Sequence, residues 1–244
     1  MTNPQPDKCA ILFVHGIVGN SDFFDFLVDA LPRGVHTVAL TLSGHGGNAL
    51  DFSKASMAQW IAQVDEAAKD LKAKHEKVII VAHSMGTLFA INQAVAGRAD
   101  ALFLLNPPLK LRLTRRLFTT PAKIMLGRVD DPVTESAKAA YGIAIDRNPL
   151  HYYGWPARYI ELFREIIRTR KIVGRLRCKL HVFISGRDEM IAPSVASYFT
   201  ALPGSHITLM PYSGHYFYLR SDRTAILQSL TTFIEEYLWH GSFI

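Results

Sequence analysis

Three side chains that could together perform nucleophilic chemistry occur along the chain in the order serine, acid, histidine. Ser84 follows a run of β-branched residues, and Asp188 and His215 each follow a later apolar run. A serine hydroxyl is a weak nucleophile until a nearby base removes its proton, and that base needs a third group to fix its tautomer. We therefore interpret Ser84, His215 and Asp188 as candidate nucleophile, base and acid.

The sequence around Ser84 predicts a sharp turn between a strand and a helix. Residues 78–81 are all β-branched, as is typical of a buried parallel strand, and residues 87–91 can begin a helix. The small residues Ala82 and Gly86 allow the turn to close, so that the serine hydroxyl stands exposed above the edge of the sheet. The pentapeptide alone is a weak signal, and its flanking strand and helix make it specific.

Neighbouring residues offer alternatives for the acid and the base. Glu189 is the second candidate for the acid, and His206 competes with His215. We favour Asp188 and His215 because each lies in a loop directly after a predicted strand, where functional groups gather in a parallel sheet. The histidines of the other predicted loops are interpreted as structural, not as proton carriers: His15, His45 and His83.

Apolar runs alternate with helical patterns along most of the chain. The runs predict strands at residues 9–14, 35–42, 78–81, 101–105, 180–185 and 207–211, and a helix capped by Ser21 is predicted to run to about Ala30 between the first two strands. Alternation of this kind predicts an α/β fold with a mostly parallel sheet of about six strands and helices on both faces.

The alternation stops between residues 107 and 179. Helices are predicted there at residues 120–125, 133–141 and 158–173, and we expect no strongly β-branched strand. We interpret residues 107–179 as a helical cap inserted into a core formed by residues 1–106 and 180–244. Aromatic residues of the cap are predicted to shape a substrate pocket: Tyr152, Tyr153, Trp155 and Phe163.

Charge is distributed unevenly along the chain. The net charge is +6, but residues 107–179 hold 16 Lys/Arg and 6 Asp/Glu, which gives +10 for the predicted cap and −4 for the rest. A basic cap would suit an anionic substrate, or weak contact with an anionic membrane surface. The alternative is a solvated basic face without a binding role.

Composition argues against several classes of protein. A hydrophobic content of 49% and a charged content of 20% are typical of a globular chain. No apolar run approaches the ~18–20 residues that a membrane span needs, and residues 1–8 lack the pattern of a signal peptide. Cys9 and Cys178 predict neither a disulfide nor a metal site. We expect a cytoplasmic protein without a metal, cofactor or nucleic-acid partner; its oligomeric state is left open.

Five stretches taken together resemble the α/β-hydrolase family: residues 15–20, 42–46, 82–86, 186–188 and 214–215. Within this family the chain resembles small bacterial carboxylesterases and monoacylglycerol lipases. The resemblance implies that Ser84, Asp188 and His215 form a catalytic triad. It also implies that the backbone N–H groups of Ile17 and Met85 form an oxyanion hole.

The chain departs from the family pattern at two points. Ala82 replaces the usual first glycine of the turn, a change that we expect to be tolerated. The chain also begins almost directly at the first matching strand, so that two leading strands of longer relatives are expected to be missing. This expectation gives the sheet of about six strands.

The resemblance implies a serine hydrolase that cleaves carboxylic esters through an acyl-enzyme. Its substrates would be small-molecule acyl esters, with medium-chain esters or monoacylglycerols favoured. A thioesterase acting on acyl-CoA-type substrates, or a carbon–carbon bond hydrolase or lyase, would use the same triad. A third hypothesis is a binding or signalling module that keeps the fold without catalysis.

Overall fold

The computed structural model describes residues 8–112 and 114–239. The predictions that concern residues 1–7, including the absence of a signal peptide, lie outside the described residues. Among the described helices, none combines the length and the apolar character that crossing a lipid bilayer would require.

Six strands form one sheet, and all of its described pairings are parallel. The strands are β1 Cys9–Val14, β2 His36–Leu40, β3 Lys77–His83, β4 Ala101–Leu105, β5 Lys179–Ser185 and β6 Ser205–Met210. Their order across the sheet is β2-β1-β3-β4-β5-β6. The prediction of a parallel sheet of about six strands is therefore confirmed, although most strand ends differ by one or two residues.

Helices surround this sheet. They are α1 Asp25–Val28, α2 Ala49–Lys54, α3 Met57–Lys74, α4 Met85–Val95, α5 Arg115–Met125, α6 Pro132–Ala140, α7 Trp155–Ile172 and α8 Arg220–Trp239. Short 3-10 helices occur at Ser21–Phe24, Pro149–Tyr152, Val173–Arg175 and Pro193–Tyr198.

The central strands are buried on both faces, which explains their continuous apolar sequences. Successive side chains of a strand point to opposite faces, so that Leu12 and Ile80 belong to one hydrophobic cluster while Phe13 and Ile79 belong to another. Helix α3 contributes Trp60 to the first cluster. The second cluster includes apolar residues of α8.

The described residues between β4 and β5 contain α5, α6 and α7, as the sequence predicted. Helix α5 begins at Arg115, five residues before the predicted start, because the Thr114 side chain accepts a hydrogen bond from the N–H of Leu117 and caps the helix. Helix α7 packs against α2, α3 and α4. The division of the chain into a core and a cap remains an interpretation of this helical segment.

One local prediction was wrong, and one helix was not predicted. The helix expected between Ser21 and Ala30 is a 3-10 turn followed by the single turn of α1. Helix α2 was not predicted, although Asn48 and Asp51 form a capping box in which each side chain bonds the backbone of the other. Such a box was a readable signal in the sequence.

Gly86 lies where a side chain has no room. A Cβ atom added there would lie 2.1 Å from the carbonyl oxygen of Val14 and 2.7 Å from that of His15. We expect Gly86→Ala to lower the free energy of unfolding by roughly 3 kcal/mol or more, because the backbone of the central strand β1 cannot move aside. Urea denaturation followed by circular dichroism measures the change.

Gly174→Ala is the matched control, since a Cβ atom there meets no other atom within 4 Å. We expect its unfolding free energy to stay within about 1 kcal/mol of the wild type. Equal stabilities of the two variants would contradict the close packing of the turn against β1.

Candidate active site

Ser84 occupies a strained turn between β3 and α4. Its φ of 50° and ψ of −123° fall in a region that side-chain-bearing residues rarely adopt, at a cost on the order of 1–3 kcal/mol. Its N–H donates to the carbonyl of Leu105 at 2.9 Å, and its own carbonyl accepts from the Thr87 hydroxyl at 2.7 Å. Backbone strain that is held in this way is typical of functional sites.

The structure brings together the three side chains that the sequence singled out. The Nε2 atom of His215 lies 3.0 Å from Oγ of Ser84, and its Nδ1 atom lies 2.6 Å from Oδ2 of Asp188. All three residues are buried. With the proton on Nδ1, the ring donates to the carboxylate and presents Nε2 as a base toward the hydroxyl.

Asp188, not Glu189, contacts the histidine ring. The second oxygen of Asp188, Oδ1, accepts hydrogen bonds from the N–H groups of Met190 and Ile191, each at 2.8 Å. Glu189 instead uses Oε2 to accept from the backbone N–H of His215 at 2.9 Å. Both acidic candidates therefore hold His215, one through its ring and the other through its backbone.

The carbonyl of His215 is held as well. It accepts from Nε2 of His83 at 3.1 Å and from Nδ2 of Asn106 at 3.3 Å, while Oδ1 of Asn106 accepts from the N–H of Ser185. Burial holds the pKa of His83 well below its usual value, so this ring is neutral. Asn106 was not among the predicted site residues, although its position directly after β4 was an available signal.

The loop after β1 approaches the serine closely. A Cβ atom on Gly16 would lie 2.9 Å from Cβ of Ser84. Two residues later Val18 has a φ of 57°, an outlier for a β-branched side chain. Among the described residues, the N–H groups of Ile17 and Met85 have no hydrogen-bond acceptor. The N–H groups of Ile17, in the loop after β1, and of Met85, at the start of α4, are thus free to bind an oxygen atom.

His15 and His45 are buried, neutral residues, and His15 connects the loop after β1 with the loop after β2. Nδ1–H of His15 donates to the carbonyl of Gly16 at 2.8 Å, and its Nε2 accepts from the N–H of Leu42 at 3.0 Å. Burial lowers the pKa of His15 to about 4. Burial, and then the nearby ring of His15, lowers the pKa of His45 to about 3. These contacts agree with the structural interpretation of both histidines.

A cavity of about 350 Å³ opens beside His215. Its apolar lining comes from the loop after β1, from α5 and α6 and from the loop after β5: Ile17, Val18, Leu117, Phe118, Pro121, Val133, Ala137 and Met190. Polar groups complete the wall: Arg116, Thr120, Tyr141, Tyr159, Glu189 and Tyr216. The cavity is thus suited to an apolar group that binds beside His215.

The four aromatic residues that were predicted to shape the pocket do not line this cavity. The Tyr152 hydroxyl donates to the carbonyl of Asp146, and Trp155 packs on Phe52 in the core. Tyr153 and Phe163 are 65% and 50% exposed. Helices α5 and α6 supply most of the helical lining instead, and α7, which packs on α3 and α4, contributes Tyr159.

Among the described residues, no group of three or more His, Cys, Asp or Glu side chains is arranged to hold a metal ion. Cys9 and Cys178 are free thiols. Burial raises the pKa of Cys178 to about 11, so that its thiol stays protonated at neutral pH.

Comparisons with known proteins identify the family. The profile described as "Alpha/beta hydrolase family" matches residues 11–227. The chain belongs to the alpha/beta hydrolase family. The resemblance inferred from the motifs is thereby confirmed, and the chain is a hydrolase.

Two curated relatives are similar over most of the chain. A thermostable monoacylglycerol lipase of Bacillus sp. (strain H-257) is 24% identical over 193 residues, which cover 76% of this chain and 73% of the lipase. The protein RutD of Escherichia coli O26:H11, whose name proposes a carbamate hydrolase, is 24% identical over 235 residues, 87% of this chain and 86% of its own length. The two relatives are named for different bonds.

A solved structure shows the same fold. The monoacylglycerol lipase of Paleococcus ferrophilus superposes with a TM-score of 0.66 at 18% identity, covering 94% of this chain and 96% of that chain.

His45 makes the stability of the fold depend on pH. The unfolded chain binds a proton at His45 near pH 6.5, whereas the folded chain binds it only near pH 3, so stability falls as the pH drops below 6.5. His45→Phe keeps a ring against Phe52 and Trp60 and cannot titrate. Between pH 7 and pH 5, we expect the free energy of unfolding of this variant to fall by about 2 kcal/mol less than that of the wild type.

Urea denaturation of the two proteins at each pH measures this difference. Nε2 of His45 has no hydrogen-bond partner in the described part of the chain, so the variant leaves no acceptor unpaired at that atom. The same pH-dependent loss in both proteins would mean that His45 is protonated in the folded state.

Proposed function

We propose that this chain is a serine hydrolase that cleaves carboxylic esters through an acyl-enzyme. The observation that carries the proposal is the buried series of contacts from Ser84 through His215 to Asp188, which opens into an apolar cavity. Membership in a hydrolase family supports the same reaction class.

The first half of the reaction forms the acyl-enzyme. His215 accepts the proton of the Ser84 hydroxyl through Nε2 while Oγ attacks the acyl carbon. Asp188 stabilises the imidazolium that results. The N–H groups of Ile17 and Met85 donate to the oxyanion of the tetrahedral intermediate, a role that their lack of other acceptors supports.

The second half of the reaction releases the acid. His215 gives its proton to the leaving alcohol, and it then removes a proton from the water that attacks the acyl carbon. Breakdown of the second tetrahedral intermediate returns the proton to Ser84. Protein groups and water supply each of these steps.

The lining of the cavity favours an apolar acyl group. Its walls are mostly aliphatic and aromatic. The two charged residues in the wall, Arg116 and Glu189, have opposite signs, so the wall has no net charge. A medium-chain acyl ester or a monoacylglycerol fits this lining better than a strongly anionic acyl-CoA thioester. The relative named as a monoacylglycerol lipase adds support for this substrate class.

The first test concerns the nucleophile. We expect Ser84→Ala to reduce p-nitrophenyl ester hydrolysis by on the order of 10⁶-fold, because no covalent intermediate can form. It should also abolish labelling by a fluorophosphonate probe, as read by intact-protein mass spectrometry. The matched control is Ser194→Ala on an exposed 3-10 helix, which should keep both properties. Ester turnover that survives in Ser84→Ala would refute the proposal.

A second test separates the two acidic candidates. Asp188→Asn should lower kcat by roughly 10⁴-fold, since an amide favours the wrong tautomer of His215. Glu189→Gln keeps an oxygen that can accept from the backbone N–H of His215. We expect it to lose about tenfold or less, the size of one weakened hydrogen bond. Steady-state kinetics on a p-nitrophenyl ester measure both, and a larger loss in Glu189→Gln would assign the acid to Glu189.

A further inference from the structure

The segment that leads from β4 into α5 is paired with the loop that carries Asp188. The N–H of Arg112 donates to the carbonyl of Met190 at 2.9 Å, and the N–H of Ala192 donates to the carbonyl of Lys110 at 2.8 Å. The two stretches thus form a short antiparallel contact outside the main sheet. The loop of the candidate acid is therefore tied to a part of the chain nearly 80 residues away.

Side chains of the same segment bind the two preceding carbonyls of that loop. The Arg112 guanidinium donates through Nε to the carbonyl oxygen of Asp188 at 2.7 Å, and its Nη2 contacts the same oxygen. The hydroxyl of Thr114 donates to the carbonyl of Glu189 at 2.6 Å. Three consecutive carbonyls, those of residues 188, 189 and 190, are thus bound by residues 112 and 114.

We propose that Arg112 is a positioning residue that holds the Asp188 carboxylate against His215, with Thr114 in support. The carboxylate projects from the Cα atom of Asp188, and the guanidinium restrains the peptide plane that begins at this atom with two N–H groups of one rigid fork. The proposal rests on the triad function proposed above, because only a working triad makes the position of Asp188 matter for catalysis.

The charge and burial of these groups support a specific role. Arg112 is half-buried, and its guanidinium is used on backbone carbonyls of the acid loop, including that of Gly186 at 3.5 Å. A lysine could supply the charge and three rotatable donors on a single nitrogen, but not the planar pair of N–H groups. Helix α5 begins three residues later and lines the cavity with Leu117 and Phe118, so that one segment contacts both the substrate cavity and the acid loop.

The kinetic test uses Arg112→Met, which keeps an apolar stem of similar length and removes every donor. We expect kcat for a p-nitrophenyl ester to fall roughly 10- to 100-fold with little change in KM, as for a catalytic group displaced by about 1 Å. Thr114→Val should lower kcat by a smaller factor, and Arg112→Lys should recover part of the loss. Arg115→Met removes the same charge from an exposed site and should keep wild-type kinetics.

A spectroscopic readout reports on the acid directly. The proton on Nδ1 of His215, shared with Asp188 at 2.6 Å, should give a far-downfield proton NMR resonance. We expect Arg112→Met to weaken or shift this resonance and Arg115→Met to retain it. Wild-type kcat and an unchanged resonance in Arg112→Met would overturn the proposal, and so would an effect on KM alone.

The two proposals fail in different ways. Ester turnover by Ser84→Ala would refute the hydrolase mechanism, yet the resonance of His215 in Arg112→Met would still show whether Arg112 positions Asp188. Circular dichroism establishes that each variant is folded. Should Arg112→Met fail to fold, Arg112→Lys, which keeps the charge and the stem but lacks the planar fork, carries the same comparison, and unchanged kcat and resonance there would overturn the proposal.

Discussion

The turn between β3 and α4 is the constraint on which the rest of the site depends. Ser84 has a positive φ, a conformation that costs on the order of 1–3 kcal/mol and persists only where the surroundings enforce it. The surroundings are the two strands beside β3. The carbonyl of Leu105 in β4 binds the N–H of Ser84, and the carbonyl of Val14 in β1 leaves Gly86 no space for a side chain. The packing that stabilises the centre of the sheet therefore also holds the serine in its strained position.

The same parallel sheet explains how distant residues meet. The ends of β1, β3, β4, β5 and β6 lie along one edge, and the loop after each contributes to the surroundings of His215. Its ring contacts Asp188 and Ser84, its N–H contacts Glu189, and its carbonyl contacts His83 and Asn106. Each of these groups is largely removed from solvent. A group that lost its hydrogen-bond partner would therefore keep its full desolvation cost without compensation. A histidine that is bound at its ring and at both of its backbone groups has little freedom to leave the serine.

The residues that meet at this edge were predictable, whereas the walls of the cavity were not. Ser84, Asp188 and His215 follow runs of apolar residues, and the rule that loops after parallel strands converge was sufficient to bring them together. No comparable rule predicts which way the aromatic side chains between Tyr152 and Phe163 point. Which face of α7 is buried depends on how it packs against α3 and α4, and the sequence pattern of one helix does not contain that information. Helices α5 and α6, which supply most of the helical lining, were predicted as helices. The pairing of residues 110–112 with the acid loop, just before α5, joins residues nearly 80 positions apart and has no local signal in the sequence.

Part of the excess of positive charge between β4 and β5 has a structural explanation. Arg112 binds carbonyls of the acid loop, Arg170 donates to the carbonyl of Leu109, and Arg158 pairs with Glu161. Guanidinium groups suit this task because they remain charged and present several donors in a fixed plane. A net charge of +10 in the sequence of residues 107–179 thus does not by itself indicate an anionic ligand. Within the cavity Arg116 is accompanied by Glu189, and most of the remaining wall is apolar. Selection among substrates at such a wall would depend on the shape and the apolar area of the acyl group more than on its charge.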